Sequence, residues 1–256
     1  MMKYKIIFSD IDGTIINSQH FISQKTKKVL KKLDIPVVLV SARMPQGMTT
    51  IQQQFNNHDP IICYSGALVM DNNQIIYDVG IDINEAKGLY NDLIEDKKVS
   101  VSAYCYNHWY SGRYDEWVKQ EEKITSLKAI IDCFENENKV HKFLCMSQPE
   151  NIDKLELKIK EKYPHLSIYK SKSTYLEIMR GDVSKLKAIE VLLECYQISL
   201  KESLSFGDNY NDLDMLKNTG MSFVMANAPD QIKKEIGRVT RSNDEDGIVY
   251  ALENLI

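Results

Sequence analysis

Short apolar blocks alternate with longer amphipathic stretches through the first third of the chain. Residues 3–9, 35–40 and 60–64 are β-branched or otherwise apolar runs too short for helices, so they read as strands buried on both faces. Between them, residues 23–33 place Val29, Leu30 and Leu33 on one helical face behind a capping Ser23. Pro45 suits the first turn of a second helix, reaching about residue 55. Asp12-Gly13 stops the first strand, Gly66 breaks the third, and Asp71-Asn72-Asn73 joins two short apolar stretches as a hairpin. This strand–helix–strand–helix–strand order predicts an α/β, doubly wound parallel sheet, with ligands at the carboxyl ends of its strands.

The pattern changes between residues 83 and 180, which are rich in Tyr, Lys and Glu. Helices around 84–95 and 149–162 mix there with strands around 99–106, 140–146 and 166–178. Afterwards the βα alternation resumes, with an amphipathic helix over 184–196, strands over 203–206 and 221–225, and helices over 229–236 and 246–255. The chain is therefore expected to hold a core made of 1–82 and 181–256, interrupted by an inserted α+β domain over 83–180.

Composition narrows the possible partners. With 43% hydrophobic and 27% charged residues, 256 residues can bury a sizeable core without disulfides. A net charge of −4 gives no electrostatic reason to expect nucleic acid or an anionic membrane. The five cysteines are odd in number, scattered and never arranged as C-x-x-C, which fits reduced thiols better than a disulfide framework or a zinc site. The apolar run near the start, Ile6-Ile7-Phe8, is too short for a signal peptide, and no stretch reaches transmembrane length. A cytoplasmic protein, monomer or homodimer, is the expectation.

Two acidic strand ends carry the candidate chemistry. Asp10-Ile11-Asp12-Gly13-Thr14 follows the first strand, and if the strand geometry persists its period points both carboxylates the same way. Carboxylates gathered there repel unless a cation sits beside them, and Mg²⁺ is the natural one for oxygen donors. Gly207-Asp208-Asn209-Tyr210-Asn211-Asp212 ends a later strand, where Asp208 and Asp212 can complete the ligand set. Ser41 also falls at a strand end, although it reads equally as a helix N-cap. Lys185 and Lys187 both lie early in one helix, and periodicity is taken as silent between them.

With these motifs, nearly the whole chain resembles the haloacid dehalogenase superfamily, specifically its Cof-type phosphatases with a type IIB cap and a Rossmann-like core. Val38-Leu39-Val40-Ser41-Ala42-Arg43 resembles the family's second motif, and Gly181-Asp182-Val183-Ser184-Lys185 its third. Asn227-Ala228 and Ser242-Asn243-Asp244-Glu245-Asp246-Gly247 match its tail. The resemblance implies that Asp10 attacks phosphorus to form a phosphoaspartate, while Asp12 acts as acid and then base. It implies Mg²⁺ held by the Asp10 side chain, the Asp12 carbonyl and Asp208, with Asp212 in support. Ser41 and Lys185 then bind phosphoryl oxygens, and Gly13, Arg43 and Asn211 are the candidate substrate contacts.

The sequence departs from the family pattern at Ala42, where Gly is common, at Ser65-Gly66-Ala67, where many relatives have Asn-Gly-Ala, and at Met179-Arg180, where a Pro is usual. The aromatic run from Tyr104 to Tyr110, with Arg113, Tyr114 and Trp117, reads either as a lid over substrate or as internal packing. His141 and His165 are read as structural. The expected partner is a small phosphorylated metabolite: a sugar phosphate first, flavin mononucleotide or pyridoxal phosphate after it. Two rivals are a phosphomutase of the same superfamily and a non-enzymatic module that binds phosphometabolites or accepts a phosphoryl group on Asp10.

Overall fold

The computed structural model describes residues 4–255. It divides into two compact units, Met1–Asp78 with Ser184–Ile256, and Val79–Val183. These limits fall a few residues from the boundaries drawn on the sequence. Position 3, included in the first predicted strand, lies outside the described residues.

The first unit opens with β1 (Ile6–Ser9), α1 (Gln24–Leu30), β2 (Val37–Val40), α2 (Pro45–Gln53), β3 (Ile61–Cys63), β4 (Leu68–Asp71) and β5 (Gln74–Asp78). The predicted N-cap holds: the Ser23 side chain accepts from the Thr26 amide. The second unit contains β6 (Ile81–Asp82), α3 (Ile83–Leu93), β7 (Ser100–Cys105), β8 (His108–Ser111), α4 (Glu116–Thr125), β9 (Ile130–Ile131), β10 (Lys139–Val140), β11 (Lys142–Met146), α5 (Pro149–Lys162), β12 (Leu166–Lys172) and β13 (Tyr175–Arg180). The chain returns to the first unit through α6 (Lys185–Tyr196), β14 (Ser203–Gly207), α7 (Leu213–Asn218), β15 (Met221–Val224), α8 (Asp230–Ile236) and α9 (Gly247–Glu253).

The seven-stranded sheet of the first unit has the order β15-β14-β1-β2-β3-β4-β5. Its first five strands are parallel, and the β3–β4–β5 hairpins form an antiparallel edge. Burial on both faces explains the unbroken apolar strands. Ile6, Phe8, Val38 and Val40 pack with Ala188, Ile189, Leu192 and Leu193 of α6 in one core. Strand alternation turns the equally buried Ile7, Val37 and Leu39 the other way. Each such side chain contributes about 1.5–3 kcal/mol of burial, so the sheet edge is held rigidly.

The second unit is built on a six-stranded sheet, β12-β13-β11-β7-β8-β9, antiparallel except for β8–β9. The stretch expected as one strand over 166–178 is a hairpin, β12–β13, turned between Lys172 and Tyr175. Helix α4 and the short strands β6, β8 and β9 are elements the sequence pattern did not predict, and the strand expected over 140–146 is split into β10 and β11. The aromatic run is largely the β7–β8 hairpin, where Tyr104 and the buried Trp109 stack with centroids 5.7 Å apart. Those two rings are packing residues within this unit. His141 is fully buried and accepts the Tyr106 amide through Nδ1 at 3.1 Å, and exposed His165 pairs with Glu85.

Candidate active site

Strand β1 lies between β14 and β2, and the three end close to one another. Ser9 is in register with Phe206 on one side and Leu39 on the other, and the Asp10 amide donates to the Phe206 carbonyl at 3.0 Å. Asp10 follows directly on β1, while β14 and β2 run one residue further, to Gly207 and Val40, before Asp208 and Ser41, so the topology delivers three polar side chains to one edge. Backbone spacing of about 4.8 Å between strands brings them close enough to share a ligand.

Helix α6 adds the cation. Ser184 caps it, accepting from the Lys187 amide at 3.1 Å. Residues 185, 188, 189, 192 and 193 form its buried stripe, so Lys185 lies on the face that packs against the sheet while Lys187 is exposed. Helical spacing therefore does choose between the two lysines, contrary to the reading made from sequence. Lys185 is 1% exposed; its Nζ donates to Asp10 Oδ1 at 2.6 Å, Asp212 Oδ1 at 2.5 Å and the Val40 carbonyl at 3.4 Å.

The 3₁₀ turn Tyr210–Asp212 after β14 fixes Asp212. Its Oδ2 accepts the Asp208 and Asn209 amides, each at 2.9 Å, which buries the carboxylate with its hydrogen bonds met. Asp10, Asp208 and Asp212 each offer a carboxylate oxygen, all within 4.8 Å of one another. Burial, followed by the charge of Asp212, pushes the Asp208 carboxyl up to about 6 against the pull of Thr14 and Lys185. Burial likewise holds the Asp10 carboxyl well above the usual carboxylate range; Lys185 opposes this and Asp212 adds to it. For Lys185, burial disfavours the charge, but Asp10 and Asp212 reverse the effect and keep it firmly protonated.

Asp12 sits differently from the strand-alternation expectation. The strand ends at Ser9, and the Ile11 carbonyl accepts the amides of Thr14, Ile15 and Ile16, so the chain turns at once. The Asp12 carboxylate is 53% exposed, stands outside the trio of Asp10, Asp208 and Asp212, and pairs in a fork with Arg43 at 2.8 and 2.5 Å. Arg43 thus meets Asp12 directly. Gly13 has φ +84°, and a Cβ there would lie 2.3 Å from Asp208 Oδ2, so only glycine allows this turn to approach the carboxylate.

Ser41 is buried and does not cap α2, whose N-cap is Met44; its Oγ accepts the Arg43 amide at 3.4 Å. Asn211 is exposed on the 3₁₀ turn. Thr14 and Asn227 were given no role from sequence, yet both grip the site. Thr14 Oγ1 donates to Asp208 Oδ1 at 3.0 Å, and Asn227 Nδ2 to the Gly13 carbonyl at 2.9 Å and Asp208 Oδ2 at 3.3 Å. The available signal was their place inside the first motif and the tail motif.

A model of the haloacid dehalogenase-like hydrolases matches residues 7–252. A Haemophilus influenzae protein carrying a provisional phosphatase name is 36% identical, covering 98% of both chains. The Thermotoga maritima protein TM0651 superposes with a TM-score of 0.90 at 29% identity, covering 98% of this chain and 97% of its own. BT4131, described as a sugar phosphatase of subclass IIB, superposes with a TM-score of 0.82 at 22% identity, covering 98% and 100%. The chain belongs to the haloacid dehalogenase-like hydrolases and is a phosphatase with the fold of subclass IIB, the Cof type. Phosphatases of this family generally depend on a metal, and the acidic trio is a fitting place for one. Among the described residues, no helix is long and apolar enough to cross a membrane.

Proposed function

We propose that this phosphatase is Mg²⁺-dependent and hydrolyses small phosphorylated metabolites, sugar phosphates foremost, through a phosphoaspartate on Asp10. The observation that carries the reading is the buried Lys185 shared by Asp10 and Asp212, beside Asp208 and at the carboxyl ends of adjacent strands. The donor set suits the ion. Carboxylate oxygens are what Mg²⁺ prefers, and three carboxylates against one ammonium leave negative charge for a divalent cation to offset. When bound, Mg²⁺ supplies charge neutralisation to the phosphoryl oxygens.

The protein's own residues supply the remaining steps. An Asp10 oxygen attacks phosphorus while the ester oxygen leaves, taking a proton from Asp12. Asp12 then removes a proton from water; the water oxygen bonds to phosphorus and the bond to Asp10 breaks, releasing inorganic phosphate and the free carboxylate. Lys185 and Ser41 hold phosphoryl oxygens, and Gly13, Arg43 and Asn211 orient the substrate. In this reading residues 1–82 and 181–256 are the catalytic core, with 83–180 the cap that selects the organic group. The sugar phosphatase name of BT4131 supports testing sugar phosphates first.

Rapid mixing with a ³²P-labelled hexose phosphate, followed by acid quench, tests the intermediate. Label should appear on the peptide containing Asp10 within one turnover and be absent from Asp10→Asn. Multiple turnovers with no protein-bound label at any mixing time would count against the covalent route.

A further inference from the structure

Asn227 lies in the loop after β15, outside both acidic motifs, and nothing in the proposed chemistry requires it. Its geometry is nonetheless specific. Nδ2 donates to the Gly13 carbonyl at 2.9 Å and to Asp208 Oδ2 at 3.3 Å, while Oδ1 accepts the Asn243 amide at 3.1 Å. The amide therefore has one workable orientation, because flipping it would set its oxygen against two acceptors. Asn243 is itself tied to the first motif's loop, its Nδ2 donating to the Ile16 carbonyl at 3.0 Å. Asp208 is held from both sides, by Thr14 at Oδ1 and by Asn227 at Oδ2.

We infer that Asn227 is a positioning residue for the metal site: it locks the Asp208 carboxylate to the Gly13 turn, so that Asp208 and Asp10 are presented at a fixed separation. The inference rests on the metal-site reading given above. Groups that hydrogen-bond a metal-ligating carboxylate set its direction, and their loss typically costs 10–100-fold in metal affinity. Asn227 is exposed and its contact with Asp208 is long, so a loss of about tenfold, the lower end of that range, is expected.

The test is calorimetric titration of Mg²⁺ alone into wild type, Asn227→Ala, Asn227→Leu and Asp208→Asn, with the melting temperature of each measured in chelator. Leu keeps the volume of the side chain without its hydrogen bonds. The inference predicts that both Asn227 variants melt in chelator close to wild type, yet bind Mg²⁺ about tenfold more weakly. Saturating Mg²⁺ should then restore most of kcat. Unchanged or tighter Mg²⁺ binding in both variants overturns it. So does a large fall in the chelator melting temperature, or failure of both variants to melt cooperatively, either of which makes Asn227 a general structural residue. Failure of the metal-site reading looks different: wild type would bind no Mg²⁺, or Asp208→Asn would bind it as well as wild type.

Discussion

Asp208 carries a pH dependence whose sign follows from its surroundings. Its carboxyl is raised to about 6 in the metal-free fold, so the folded state holds a proton that the unfolded chain has already released. That contribution to stability is fully present below the ordinary carboxylate pKa and is lost as pH rises through about 6. Mg²⁺ needs the ionised form, so its stabilising effect runs the opposite way. Thermal melts with and without Mg²⁺ should therefore show a small shift near pH 5 that grows clearly by pH 7.5. A shift independent of pH across this range would mean that Asp208 does not face the ion.

Single residues also show where the sequence was legible. The acidic strand ends stood out because Asp10 and Asp208 close short segments that read as strands, and β1 and β14 prove to be neighbours. Asp12 was less legible. Alternation holds only while a strand lasts, and the turn after Ser9 sends its carboxylate to Arg43. Lys185 was assigned through its motif, yet the buried stripe of α6 already contained it. A charged residue on an apolar helical face is costly to bury alone, and here Asp10 and Asp212 meet that cost. Asn227 had only its place in the tail motif as a signal, because its bond to the Gly13 carbonyl joins residues 214 apart in the chain.

At the scale of elements, the turn Tyr64–Gly66 after β3 is the most constrained backbone near the site. Tyr64, Ser65 and Gly66 all have positive φ, at +52°, +53° and +111°. The Ser65 amide donates to the Ser41 carbonyl at 2.9 Å, and Gly66 lies against the start of α6, where an added Cβ would stand 2.2 Å from the Ser184 carbonyl oxygen. The turn thus spaces Ser41 from the helix end that carries Lys185. Gly66→Ala should cost more than about 1 kcal/mol in urea unfolding, since alanine is strained at this φ and the clash is with backbone. It should also lower kcat/KM by displacing Lys185. Wild-type stability and kcat/KM in this variant would show that the turn can relax without moving α6. The sequence announced a break at Gly66 but not the two non-glycine residues before it in left-handed conformation, which propensity disfavours and packing imposes.

Across the whole molecule, the βα alternation was readable because buried parallel strands must be apolar on both faces, as Val37–Val40 is. The second unit was harder to read. Its central strands bury polar residues such as Ser100, Ser102 and Glu177 among the apolar ones, and pairs such as β6–β10 and β8–β9 are only two residues long, too short to impose a pattern. The fold and the acidic trio agree on phosphoryl chemistry, and in the proposed function Asp10 and Mg²⁺ perform it together. Phosphate release from a panel of sugar phosphates, flavin mononucleotide and pyridoxal phosphate, with Mg²⁺ or with chelator, tests this most directly. At least one sugar phosphate should turn over repeatedly with Mg²⁺ and hardly at all in chelator, and Asp10→Asn should show only background rates. Equal turnover in chelator, or an active Asp10→Asn, would contradict the proposed function.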